Sequence, residues 1–128
     1  MATILIVDDE FKTRVAIMEV IETEGHVVLP ASNAMEAKNQ LQAHPEIDAV
    51  FTDLGMPLGS GWDLLAYIHD EHPGLPVVVV SAWGNAVDED QIIAHDIRRV
   101  IGKPFTISEI RFVLREVLLP DVNPPMPR

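Results

Sequence analysis

Two short runs, Ile4-Leu5-Ile6-Val7 and Val77-Val78-Val79-Val80, contain no polar residue. A strand with one wet face alternates apolar and polar side chains, so uninterrupted β-branched runs fit strands covered on both faces, as in a parallel sheet. His26-Val27-Val28-Leu29, Ala49-Val50-Phe51 and Val100-Ile101 are weaker candidates for the same sheet. Helical patterns lie between them. Phe11, Val15, Met18 and Ile21 recur at helical spacing and stop at Gly25, a natural C-terminal cap. Asn33 to Gln42 is alanine-rich, and Asn33 and Glu36 are spaced as a capping box. Leu64, Leu65 and Ile68 follow Gly61, and Val87 to His95 is a short, poorly amphipathic candidate. The last helix is the best specified. Thr106 and Glu109 form a capping box, Phe105 and Ile110 sit at the staple positions, and Ile110, Val113, Leu114, Val117 and Leu118 make its core stripe. Five strand-then-helix repeats with right-handed crossovers predict an α/β fold: a doubly wound, five-stranded parallel sheet with helices on both faces.

A length of 128 residues suits one domain, and 48% hydrophobic residues can build its core. We expect that domain over residues 1–119. Residues 120–128, with four prolines in nine positions, read as a disordered tail or linker stub. The absence of cysteine excludes disulfide frameworks, thiolate zinc sites and cysteine nucleophiles. Only four apolar residues separate Thr3 from Asp8, and the longest apolar stretch, Leu75 to Ala82, holds a proline. Signal peptide and membrane span are therefore not expected, and a cytoplasmic setting is. A net charge of −11 argues against direct nucleic-acid binding. Up to Ile97 there are 17 acidic and 3 basic residues, whereas from Arg98 onward there are 3 acidic and 6 basic. The last quarter thus has a different electrostatic character.

In a doubly wound sheet the functional crevice lies beyond the C-terminal ends of the strands. Asp8 and Asp9 follow the first run, Asp53 the third, Ser81 the fourth and Lys103 the fifth. Unit charges about 4 Å apart repel by about 4 kcal/mol at an effective dielectric near 20, so these acids should raise a pKa or recruit a cation. Oxygen ligands without histidine point to Mg²⁺ rather than zinc. Glycine-rich phosphate loops are absent, and the first strand ends in acids that would repel a pyrophosphate. No G-x-S-x-G surrounds Ser81, which makes it a poor hydrolase nucleophile.

Val-Asp-Asp-Glu at 7–10, Thr-Asp-Leu-Gly-Met-Pro at 52–57 with Gly61 beyond, Ser81-Ala82 and Lys103-Pro104-Phe105 resemble the receiver domain of two-component response regulators, a (βα)5 flavodoxin-like fold. Asp9, Asp53, Ser81 and Lys103 succeed one another at intervals of 44, 28 and 22 residues, and the resemblance runs from about Thr3 to Leu119. It implies that Asp53 accepts a phosphoryl group from a histidine kinase or phosphotransfer protein. Asp9, Asp53 and the Gly55 carbonyl would ligate Mg²⁺, with Asp8 acting largely through water. Lys103 would pair with the phosphoryl oxygens and Ser81 would donate to one of them. The resemblance also implies a cis Lys103-Pro104 bond. Val100 stands where the family usually carries an aromatic switch residue, and Gly55 and Trp83 occupy the positions that flank the hydrolytic water. Trp83 would then shield the phosphoryl group.

Simpler readings cover other residues. His69 and His72 precede Pro73 as a solvated helix end rather than a metal pair, and Trp62, Tyr67 and, as the alternative to shielding, Trp83 read as packing or partial surface cover. Arg98, Arg99, Arg111 and Arg115, with Phe112 and Leu119, suggest that the fifth strand and last helix dock an acidic partner or a second copy. The expected function is a stand-alone signalling switch or phosphorelay intermediate, not an enzyme. Its rivals are a receiver cut from a longer transcriptional regulator and a Mg²⁺-dependent phosphohydrolase, which would need an acid where Gly55 stands.

Overall fold

The computed structural model describes residues 1–55, 60–82 and 87–119. Trp83 and the segment 120–128, and with them the shielding and tail expectations, lie outside the described residues. Strands and helices alternate as β1 (Thr3–Val7), α1 (Phe11–Thr23), β2 (Val27–Ala31), α2 (Ala34–Ala43), β3 (Ala49–Thr52), α3 (Ser60–Glu71), β4 (Val77–Ser81), α4 (Glu89–Ala94), β5 (Ile97–Gly102) and α5 (Ile107–Val117). All pairings are parallel, in the order β2-β1-β3-β4-β5. The chain winds one way from β1 to β2 and the other way from β3 onward, which opens a crevice at the ends of β1 and β3.

The two polar-free runs are interior strands, and every residue of Ile4–Val7 and Val77–Val80 is at most 2% exposed. Their alternate side chains feed two separate cores. Ile4, Ile6, Val78 and Val80 pack with Ile17 and Ile21 of α1 and Ile110 and Leu114 of α5. Leu5, Val7, Val77 and Val79 pack with Leu41 of α2 and Leu64, Leu65 and Ile68 of α3. Full burial of such a side chain is worth about 1.5–3 kcal/mol, so each interior strand stabilises both layers.

Several local expectations shift in phase. The buried face of α1 is Ile17, Val20 and Ile21, whereas Phe11 is 67% exposed. Apolar residues surround this helix, so spacing alone does not say which stripe meets the sheet. Gly25 does end it, at φ +93 with its N–H donating to the Glu22 carbonyl. Asn33 caps α2 by accepting from the Glu36 N–H, but the Glu36 carboxylate reaches past it to the Ser32 N–H and hydroxyl, so the reciprocal box does not close. Helix α4 has a complete box, Asp88 with Gln91, that the sequence reading overlooked. Strand β5 is longer than Val100-Ile101 suggested. A bulge opposite Val77 and Val78 leaves Arg98 and Arg99 both exposed.

Part of the positive end of the chain is paired at the surface. Arg111 and Arg115 turn toward Glu24 at the end of α1, at 3.1 and 2.8 Å, and Arg99 pairs with Glu116. These ion pairs lie at the surface, so Arg99 and Arg115 remain exposed and Arg111 partly so. Arg98, Phe112 and Leu119 are exposed beside them.

Candidate functional site

Register places the functional side chains. Val7 pairs with Thr52, and the Asp53 N–H donates to the Val7 carbonyl at 3.0 Å, so the residues that follow β1 and β3 emerge side by side. Ser81 pairs with Gly102, and the Lys103 N–H donates to the Ser81 carbonyl at 3.0 Å. The Lys103-Pro104 bond is cis, as the resemblance implied. Acceptor atoms of Asp8, Asp9 and Asp53 all lie within 4.8 Å of one another. The Lys103 ammonium bridges two of them, donating to Asp8 Oδ2 at 2.9 Å and Asp53 Oδ2 at 3.0 Å.

The remaining carboxylate oxygens are held by main chain. Asp8 Oδ1 accepts from the Glu10 N–H at 2.8 Å, and Asp53 Oδ1 from the Gly55 N–H at 3.0 Å. Asp8 and Asp53 are buried, whereas Asp9 is exposed. Burial pushes the Asp8 carboxyl above its usual range, against the opposing pull of the Glu10 N–H and of Lys103. For Lys103 burial works against the charge, yet the bonds to Asp8 and Asp53 outweigh it and hold the ammonium above its ordinary pKa. Three carboxylates against one ammonium leave two negative charges unbalanced, which one divalent cation would neutralise. The all-oxygen donor set suits a hard ion such as Mg²⁺.

Gly55 meets Asp53 through its N–H, and Ser81 is fully buried at the end of β4. Val100 is half-buried against the α2–α3 core. Gly61 carries more than its place in a motif suggested. A Cβ there would stand 2.6 Å from the Leu54 Cα and 2.7 Å from its carbonyl oxygen, so the first turn of α3 rests directly on the loop leaving Asp53. Arg14 was missed altogether, although an arginine one helical turn into the segment after an acid pair was a signal. Its Nη1 donates to the Asp8 carbonyl at 2.7 Å.

Among the described residues the aspartate trio is the one group of three or more acidic or histidine side chains able to hold a metal. His69 is exposed, and His72 lies against the Tyr67 ring with centroids 5.6 Å apart. Trp62 packs on His95 at 5.2 Å. No helix among the described residues is long and apolar enough to cross a membrane.

Comparison with known proteins bears on the same surface. The response regulator protein PilR of Pseudomonas aeruginosa is 32% identical over 117 residues, covering 89% of this chain and 25% of PilR. The receiver domain of NtrX from Brucella abortus superposes with a TM-score of 0.80 at 32% identity, covering 90% of this chain and 97% of that one. The fold is shared too with the response regulator TrrA of Thermotoga maritima, solved in complex with Mg²⁺ and BeF, at a TM-score of 0.83 and 24% identity, covering 92% and 100%. This chain spans about half or less of the length of the curated relatives it matches. The response regulator receiver-domain pattern matches residues 4–115, from the first strand into the last helix. A match of that extent takes in the whole sheet, and the chain belongs to the response regulator receiver domains of two-component signalling.

Proposed function

We propose that Asp53 is the phosphoryl acceptor of a signalling switch or phosphorelay intermediate in the cytoplasm, with a histidine kinase or phosphotransfer protein as donor. The observation that carries this reading is the Lys103 ammonium held between Asp8 and Asp53 with Asp9 alongside. An Asp53 oxygen attacks phosphorus, the new O–P bond forms as the N–P bond to the donor imidazole breaks, and that nitrogen recovers a proton. Such a transfer needs positioning and charge neutralisation more than covalent help from the protein. Lys103 is placed to follow the charge from the carboxylate onto the phosphoryl oxygens, and Ser81 would donate to one of them. Asp9, Asp53 and the Gly55 carbonyl would hold Mg²⁺, with Asp8 largely through water. Bound there, Mg²⁺ supplies the charge neutralisation that lets two anions approach.

The aspartyl phosphate then either passes its phosphoryl group on or loses it to water, and in this reading the protein serves as a switch or relay rather than as an enzyme. Downstream, β5 and α5 would meet an acidic partner or a second copy through Arg98, Phe112 and Leu119. Arg98→Glu should weaken that association in a salt-sensitive way and leave phosphorylation intact.

Acetyl phosphate with Mg²⁺, followed by intact mass, tests the assignment. The parent chain should gain one phosphoryl group, lose that gain when chelator removes the metal, and lose it entirely in Asp53→Asn. Ser81→Ala should slow labelling. Undiminished labelling of Asp53→Asn would overturn the reading.

A further inference from the structure

Asp9 is the least supported of the three carboxylates. It is exposed, and among the described residues no hydrogen bond or ion pair reaches its side chain. Asp8 and Asp53 have both carboxylate oxygens occupied. Yet Asp9 lies within 4.8 Å of both, so something other than its own contacts must aim it.

The peptide that leads into Asp9 carries the Asp8 carbonyl. Arg14, on the next turn of α1, donates to that oxygen from Nη1 at 2.7 Å. Its guanidinium lies over the Phe11 ring, 5.5 Å from the centroid, and is drawn electrostatically toward Glu36 on α2. The Arg14 N–H donates to the Glu10 carbonyl in the ordinary first-turn bond of α1, so the helix begins directly after the turn that holds Asp9. A peptide is planar, and fixing its oxygen fixes the direction in which the next Cα departs.

We propose that Arg14 is a positioning residue for the divalent cation: by clamping the Asp8-Asp9 peptide it holds the Asp9 carboxylate toward Asp8 and Asp53. This rests on the Mg²⁺ reading above. The sign of the effect separates it from plain electrostatics. Arg14 is a positive charge beside an acidic cluster, and as a charge alone it repels a cation. Removing it should then tighten binding, whereas removing a clamp should loosen binding.

Calorimetric titration of the full chain with MgCl2 decides between these. Outer-shell partners of metal ligands commonly govern affinity by 10-fold or more, so Arg14→Ala should weaken Mg²⁺ binding about tenfold. Arg14→Lys keeps the charge but has no planar fork to span the carbonyl and the Phe11 ring, and it should also bind more weakly than the parent. Lys12→Ala, an exposed charge on the same turn, should bind as tightly as the parent or slightly more tightly. Thermal unfolding without metal sets a titration temperature at which all four proteins are fully folded, so that a change in Mg²⁺ affinity is not a loss of fold. Equal or tighter binding by Arg14→Ala would overturn the clamp while leaving the metal site standing. A parent chain that takes up no Mg²⁺ lost in Asp53→Asn would overturn both.

Discussion

Helices α4 and α5 flank the same strand, β5, and both open with a complete capping box, Asp88 with Gln91 and Thr106 with Glu109. There the likeness ends. Helix α5 buries Ile110, Val113, Leu114 and Val117, whereas α4 buries nothing and touches the core only through half-buried Ile92, with its C-cap His95 against Trp62. Capping decides where a helix starts, but burial decides how firmly it is held. Helix α4 therefore has the least to lose by moving, while α5 is part of the frame.

This contrast is tested most severely at Leu114. Leu114→Ala should lower global stability by about 2–5 kcal/mol in denaturant unfolding, since a fully buried leucine leaves a cavity that its neighbours fill only in part. The equivalent test on the other side, Ile92→Ala, should cost distinctly less, and an equal loss would mean that α4 is as much a part of the core as α5. Next come the caps. Thr106→Ala should cost about 1 kcal/mol of global stability, because α5 melts only with the whole sheet. Asp88→Ala removes the same kind of cap, yet its global effect should stay within about 0.5 kcal/mol. Its loss should appear instead as faster hydrogen exchange confined to the amides of α4. A global loss as large as that of Thr106→Ala would erase the distinction. The smallest effect belongs to Glu24→Gln, which frees Arg111 and Arg115 at the α1–α5 seam. Exposed pairs are screened, so its small shift in unfolding midpoint should fade in high salt.

How much of the site was legible differs from residue to residue. Asp8, Asp53, Ser81 and Lys103 could be named because each follows an apolar run, and strand ends are where a parallel sheet gathers its chemistry. Arg14 escaped because its role is to hold a main-chain oxygen, and a backbone acceptor has no signature in side-chain identity. Gly61 stood in a motif without a reason, and the reason is that a Cβ there would come within 2.6 Å of the Leu54 Cα, across elements that a linear reading does not juxtapose.

By itself the sequence determined the number of strands and their alternation with helices, the two-sided burial of β1 and β4, and the start and core stripe of α5. Each of these depends on neighbours within a few residues, through side-chain alternation, capping hydrogen bonds and the period of a helix. Only the tertiary structure decided which stripe of α1 faces the sheet, where the Glu36 carboxylate lands, and that Arg111 and Arg115 share Glu24 as their partner. The reason is physical. Periodicity constrains how often a face recurs but not which face wins, and a long charged side chain goes to whatever partner folding brings within reach.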